Sequence, residues 1–345
     1  MFIKNAWYVA CTPDEIDAKP LGRMICGERI VFYRGEGNKV AALADFCPHR
    51  GAALSLGFVN DHGHLVCGYH GLEMNCKGQT VQMPGQRVRG FPQNRSFPVE
   101  ERYGFIWVWT GQEGQADPNK IPHQVWYENP DWAFGGGLYH IKCDYRLMVD
   151  NLMDLTHETY VHSSSIGQSE IDETPCKTIV EGQSVVTSRF MEGVMPPPFW
   201  KHALRSHQLA DDVKVDRWQI CRFSPPSNVM IEVGVAHQGY GGYDAPDSKK
   251  VYSIVVDFIT PESESSIHYF WGMARKFRSQ DKALTAAIRD GQAKIFAEDQ
   301  EVLERQQENI QANPDRSLLK LNIDMGGVQA RKIIDQLIDG EQAAS

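Results

Sequence analysis

The chain has 345 residues, 42% of them hydrophobic and 23% charged, with a formal net charge of −9. An acidic chain without a Lys/Arg run lacks the basic stripe that tracks nucleic acid, and no stretch approaches the roughly 18 apolar residues of a membrane helix, so neither nucleic acid nor membrane is an expected partner. The start, MFIKNAWYVACTPDE, has no apolar core of signal-peptide length, which makes the expected setting cytoplasmic and reducing, where eight cysteines do not imply disulfides.

Residues 1 to about 110 read as short strands separated by turn residues: RIVFYRG, VAALADF, HLVCGYH, LEMNCKGQTV and YGFIWVWTG. They predict an all-β module over residues 1–118. The polar stretch GQEGQADPNKIPHQ, with its two prolines, marks a connection, and a second domain is expected over 119–345. Within it, residues 145–162 predict a helix followed by a polar loop to Pro175. The runs KTIVEGQSVVTSRF, RWQICRF, NVMIEVGVA, KVYSIVVDFIT and SIHYFWGMAR then suit an antiparallel sheet. A long helix from about Gln280 to Ala312 ends at Asn313-Pro314, since proline cannot continue it. The fold class is thus α+β, an all-β domain followed by an α+β one. The polar, Gly/Pro-rich loops at 163–175, 191–212 and 237–249 are expected at the mouth of a pocket.

Two constellations carry chemistry. Cys47-x-His49 and Cys67-x-x-His70 place two thiols and two imidazoles on two loops between strands. Four such ligands suit zinc, but zinc knuckles more often pair Cys with Cys, whereas one Cys and one His per loop suits a [2Fe–2S] cluster with both Cys on one iron and both His on the other. Replacing two thiolates by neutral imidazoles removes negative charge and raises the potential. Gly51, Gly68 and Gly71 free the loops for turns and leave room for N–H groups near the sulfurs.

In DYRLMVDNLMDLTHETYVH, Asp154 and His157 share a helical face, while His157 and His162 differ by about 140° on an ideal helix. If both bind one metal, the helix must end or bulge between them. Two His need a carboxylate to complete a 2-His-1-carboxylate site, which leaves positions open on Fe(II). The late helix offers Asp299, set in an apolar stripe of Ile288, Ile295, Phe296, Val302, Leu303 and Ile310. A buried acid there is either a ligand or half of an ion pair. Glu298 and Glu301 lie nearer the edge of the stripe and are expected in solvent.

Together NAWYVACTPDE, YHGLEMNCKG, GFIWVW, DNLMDLTHETYVH, AEDQEVLERQQ and KLNIDMGG resemble the Rieske non-haem iron oxygenases over nearly the whole chain. The resemblance implies a Rieske domain followed by a helix-grip, START-like catalytic domain. It implies Cys47, His49, Cys67 and His70 for the [2Fe–2S] cluster, His157, His162 and Asp299 for mononuclear Fe(II), and Asn151 close to that iron. It further implies a head-to-tail homotrimer in which Asp154 links His70 of one subunit to His157 of the next. The implied reaction consumes O2 and removes a methyl group from a methoxylated aromatic acid, vanillate by the similarity of the flanking text, giving protocatechuate and formaldehyde. NADH acts through a separate flavin/[2Fe–2S] reductase, consistent with the absence of a G-x-G-x-x-G after any strand. The alternatives are the same chemistry on another methoxybenzoate or an arylsulfonate, a Rieske electron carrier without oxygenase activity, or a zinc-stabilised binding module.

Overall fold

The computed structural model describes residues 1–17 and 19–343; residues 18, 344 and 345, which fall within the two expected domains, lie outside it. Backbone contacts divide the chain into two compact units, one of Met1–His123, Thr260–Glu264 and the chain from Glu341, the other of Gln124–Ile259 and Ser265–Gly340. Among the described residues no helix is long and apolar enough to cross a membrane.

The first unit is built from three small sheets. β1 (Trp7–Cys11) pairs with β10 (Phe105–Trp109), which pairs with β9 (Val99–Arg102). Every residue of β1 and β10 is buried, and Trp7 stands opposite Trp109 with the rings edge to face. In the second sheet β3 (Glu28–Arg34) lies between β2 (Leu21–Ile25) and β4 (Val40–Ala44), and its apolar run Ile30–Tyr33 is wholly buried. The third holds the two-residue strands β5 (Phe58–Val59), β6 (Leu65–Val66) and β7 (Glu73–Met74) with β8 (Thr80–Gln82). Two expected strands are shorter here. HLVCGYH is strand only at Leu65–Val66, and LEMNCKGQTV folds into β7 and β8 around Gly78, whose φ of 74° is a turn conformation that glycine adopts freely.

The second unit holds one seven-stranded sheet in the order β11-β17-β16-β15-β14-β13-β12. Its strands are β11 (Ala133–Ile141), β12 (Lys177–Glu181), β13 (Ser184–Val194), β14 (Val215–Ser224), β15 (Asn228–His237), β16 (Lys250–Ser263) and β17 (Ser266–Arg275). The helices are α1 (Val125–Glu128), α2 (Tyr145–Met153), α3 (Glu158–Val161), α4 (Glu170–Glu173), α5 (Pro198–Ser206), α6 (Lys282–Ala312) and α7 (Met325–Ala343). α6 packs on β11, β17 and α2. Its stripe is buried at Ile288, Ile295, Phe296, Asp299 and Leu303, but Val302 is 46% exposed and Ile310 is half-buried, so the expected stripe is narrower and ends at Leu303.

The uninterrupted helix expected over 145–162 is not found. α2 stops at Met153 because Asp154 is extended (φ −95°, ψ 113°). Its N–H still reaches the carbonyls of Asp150 and Asn151, while its Oδ1 accepts the Thr156 N–H at 2.7 Å and closes a turn of its own. A single helical turn, α3, follows, with His157 preceding it and His162 just past its end.

Asp257 of β16 is fully buried, accepts a 2.5 Å hydrogen bond from the Tyr269 hydroxyl, and leaves its other oxygen without a partner. Burial pushes its carboxyl up to about 8. An unfolded aspartate ionises near pH 3.9, so between that value and about 8 folding must take up a proton, and stability falls by up to about 1.4 kcal/mol per pH unit as the pH rises. Asn fills the same space and keeps the Tyr269 bond without a proton. Asp257→Asn is therefore expected to raise the Tm by roughly 4 °C or more at pH 7 and by nothing near pH 4. Thermal melts at the two pH values check this, and an equal shift at both contradicts it.

Candidate metal centres and cavity

The two cysteine loops are closed by the same hydrogen bonds. Cys47 N–H donates to Ala52 O and Gly51 N–H to Cys47 O, both at 2.8 Å; Cys67 N–H donates to Leu72 O at 2.9 Å and Gly71 N–H to Cys67 O at 3.0 Å. Each turn needs its glycine, since Gly51 and Gly71 have φ of 70° and 72°. Gly68 is different: its φ is ordinary, and a Cβ there would stand 2.8 Å from the Leu56 carbonyl, so it serves close approach and not a turn.

Cys47 and Cys67 are buried, and burial together with the neighbouring Cys67 pushes the Cys47 thiol up. The His49 and His70 rings lie 4.6 Å apart, with His49 exposed and His70 half-buried. Donors are thus paired by type, sulfur with sulfur and nitrogen with nitrogen. A tetrahedral zinc ion needs all four donors around one point. Two neighbouring thiols and two neighbouring imidazoles instead match the two irons of a [2Fe–2S] cluster, both Cys on one and both His on the other.

His157, His162 and Asp299 do converge: one ligand atom from each lies within 4.8 Å of the others. The Nε2 atoms of His157 and His162 are 3.5 and 3.2 Å from Asp299 Oδ1. Both Nδ1 atoms are engaged elsewhere, His157 with the Asp154 carbonyl and His162 with Glu298 Oε2, each at 2.7 Å. Those bonds place the Nδ1 protons and turn the Nε2 lone pairs toward Asp299, the arrangement a divalent metal requires. Burial opposes charge on His162, but the carboxylates of Asp299 and Glu298 outweigh it and the imidazole is raised overall. Asn151 donates to Asp299 Oδ1 at 3.0 Å, and its own buried Oδ1 has no partner. The Asp154 carboxylate stands 3.9 Å from His157 Nδ1, so it is the main chain of Asp154 that orients the ring.

Glu298, expected in solvent, keeps a side chain 38% exposed but also holds His162. The only signal in the sequence was its place next to Asp299. With consecutive helical residues about 100° apart, periodicity sends Glu298 to the edge of the stripe, and only the backbone position of His162 brings them together.

A cavity opens beside the triad. Ile231, Val233, Val255, Met273 and Phe296 make its apolar walls, and Arg217, Gln219 and Gln292 add polar groups. Of the loops expected at its mouth, 163–175 contributes Ile166 and 191–212 contributes Phe199 and Trp200 from α5, a helix where a loop was expected. The segment 237–249 contributes nothing to the lining.

Residues 6–93 match the Rieske [2Fe–2S] domain and residues 141–340 the vanillate O-demethylase oxygenase C-terminal domain. The chain is 69% identical to the vanillate O-demethylase oxygenase subunit of Pseudomonas sp. strain HR199, over 100% of its own length and 97% of that protein. Among solved structures it is similar to dicamba monooxygenase bound to 3,6-dichlorosalicylic acid, with 35% identity, a TM-score of 0.90 and 99% of each chain covered. It is also similar to dicamba monooxygenase with non-heme iron and dicamba, with 34% identity, a TM-score of 0.84 and 100% and 99% coverage. The family's cofactors are a Rieske [2Fe–2S] cluster and a mononuclear non-haem iron. This chain belongs to the vanillate O-demethylase oxygenase family of Rieske non-haem iron oxygenases.

Proposed function

We propose that this protein is the terminal oxygenase of a two-component aromatic O-demethylase that converts vanillate to protocatechuate and formaldehyde, using O2 and NADH through a flavin/[2Fe–2S] reductase. The observation that carries the reading is the meeting of His157, His162 and Asp299 at the wall of a largely apolar cavity, in a chain 69% identical to a vanillate O-demethylase oxygenase subunit. Residues 1–118 form the cluster domain and 119–345 the catalytic domain. Cys47, His49, Cys67 and His70 hold the cluster; His157, His162 and Asp299 hold the iron. An electron carrier would leave this cavity and triad without a task. The setting is cytoplasmic.

The iron supplies, when bound, the site of O2 activation, and the cluster supplies electrons. The chain does the rest by position. Apolar walls keep bulk water from the methoxy group, Asn151 and Glu298 hold the ligand side chains, and the two fixed imidazoles aim their Nε2 atoms to one point. Hydroxylation of the methyl carbon gives a hemiacetal, whose collapse releases the phenol and formaldehyde; the second oxygen atom leaves as water, with two electrons drawn from NADH.

Assembly as a head-to-tail homotrimer is supported by two exposed apolar surfaces. Phe46, Leu56, Phe58 and Tyr69 lie 55–82% exposed about the cluster loops. A groove with Val302, Leu318, Leu319 and Val328 on its rim runs to Asp154 and His157. In this assembly Asp154 links the partner subunit's His70 to His157.

Purified holoprotein, given a suitable reductase, NADH and vanillate in air, is expected to release formaldehyde and protocatechuate in equal amounts. Neither product, with both metal centres loaded, defeats the named activity.

A further inference from the structure

The cavity contains a buried cationic donor that the metal site does not use. Arg217 of β14 is 3% exposed. Its Nη1 donates to the Ile166 carbonyl at 3.1 Å and to Gln168 Oε1 at 2.6 Å, and its Nη2 to Glu158 Oε2 at 3.0 Å. Its Nε–H, equally buried, meets no partner. Buried donors are rarely left so, because the group has given up its water and received nothing in return. Arg217 lines the cavity, so a ligand seated against this side chain can complete the donor.

Charge points the same way. A second buried guanidinium, Arg189, bonds among the described residues to neutral oxygens: the carbonyls of Thr174 and Leu155, the Thr156 hydroxyl and the Gln219 amide. Among the described residues Glu158, held by Arg217 and by Gln219 Nε2 at 2.5 Å, is the carboxylate hydrogen-bonded to this pair of cations, and Glu170 acts on Arg217 without a direct bond. Burial works against the charge on Arg217. An arriving anion relieves that deficit, whereas a neutral ring does not.

We propose that Arg217, through its unpartnered Nε–H, binds the carboxylate of the aromatic acid and so sets which end of the ring faces the metal site. The proposal rests on the function given above. Arg217 is here a substrate-binding residue and not a metal-site one. A rival seat exists across the sheet: Gln292 of α6, also buried, lines the cavity. α6 packs on β17, three strands from β14 in the sheet order, so three spacings of about 4.8 Å separate the two margins by roughly 14 Å at the backbone.

The test measures dissociation constants of the holoenzyme for vanillate and for guaiacol, the same methoxyphenol without a carboxylate. Arg217→Lys keeps a cation near Glu158 but lacks Nε–H. It is expected to weaken vanillate binding by about 10- to 100-fold, the range for a hydrogen bond to a charged group, and to leave guaiacol unchanged. Should that variant fail to fold, Glu158→Gln decides: removing the competing carboxylate is expected to tighten vanillate several-fold without affecting guaiacol, a gain that damage to the fold cannot produce. Equal loss for both ligands in Arg217→Lys, or no gain in Glu158→Gln, overturns the proposal. So does a vanillate-selective loss in Gln292→Leu with none in Arg217→Lys. Wild-type enzyme that releases no formaldehyde from any methoxylated acid defeats the proposed function instead, which the binding constants distinguish.

Discussion

Asp299→Ala is expected to abolish O-demethylation while the visible spectrum of the [2Fe–2S] cluster stays as it is. Asp299 is the single carboxylate to which both Nε2 atoms turn and which Asn151 steadies, so its loss removes the anionic member of the triad and leaves two neutral imidazoles. Iron in excess of the cluster's two ions should fall to background, and formaldehyde with it. The cluster is insulated from the change because its proposed donors sit on the loops of Cys47 and Cys67, closed by their own backbone bonds. Iron and acid-labile sulfide assays on the same sample check both halves; full iron content with activity retained contradicts the ligand role. Glu298→Gln gives the graded version. Its carbonyl oxygen still accepts from His162 Nδ1 but without charge, and iron affinity should weaken by roughly 10- to 100-fold, as for other outer partners of metal ligands.

Asp154→Asn should keep both centres loaded and still lose turnover. The geometry makes this a clean substitution. His157 Nδ1 is bonded to the main-chain carbonyl at position 154, which any residue supplies, and the Thr156 N–H that Oδ1 accepts is satisfied equally by an asparagine oxygen. What disappears is the negative charge at the edge of the groove. If that charge bridges the partner subunit's His70 and His157, reoxidation of a reduced cluster by O2 in the presence of substrate should slow by roughly 100-fold, with iron content and cluster spectrum unchanged. Rapid mixing reads the rate. An unaltered rate rejects the bridge and leaves Asp154 as the residue that stops α2.

Much of this was legible in the residues. The Cys47/His49 and Cys67/His70 spacings announced a mixed-donor cluster because backbone turns of fixed length leave little freedom over two or three residues. His157, His162 and Asp299 were legible as donor types, and the angle between the two His demanded the helix end that is found at Val161. The break at Asp154 was not, since no Gly or Pro marks it; the turn arises from one carboxylate oxygen capturing one N–H. Nor was β11, whose Gly135–Gly137 run looks like a turn. It is a strand because it pairs with β17 along its length, and its glycines answer a lack of room: a Cβ on Gly136 would lie 2.1 Å from the Trp271 carbonyl and one on Gly137 2.8 Å from the Trp271 ring. Nor was α7, which holds Gly326 and Gly327. They lie at its start, pressed against Thr187 and Asp150, where packing leaves no room for a larger side chain.

His162 is gripped from both ends of its ring by neighbours in sequence, Asp299 at Nε2 and Glu298 at Nδ1, and both are rooted in the same stiff thirty-one-residue rod. A small roll or slide of that rod therefore carries the two grips together. The imidazole follows as a follower does a cam, so thermal play in the scaffold swings the ring as one piece and spares the angle between its lone pair and the acid that faces it.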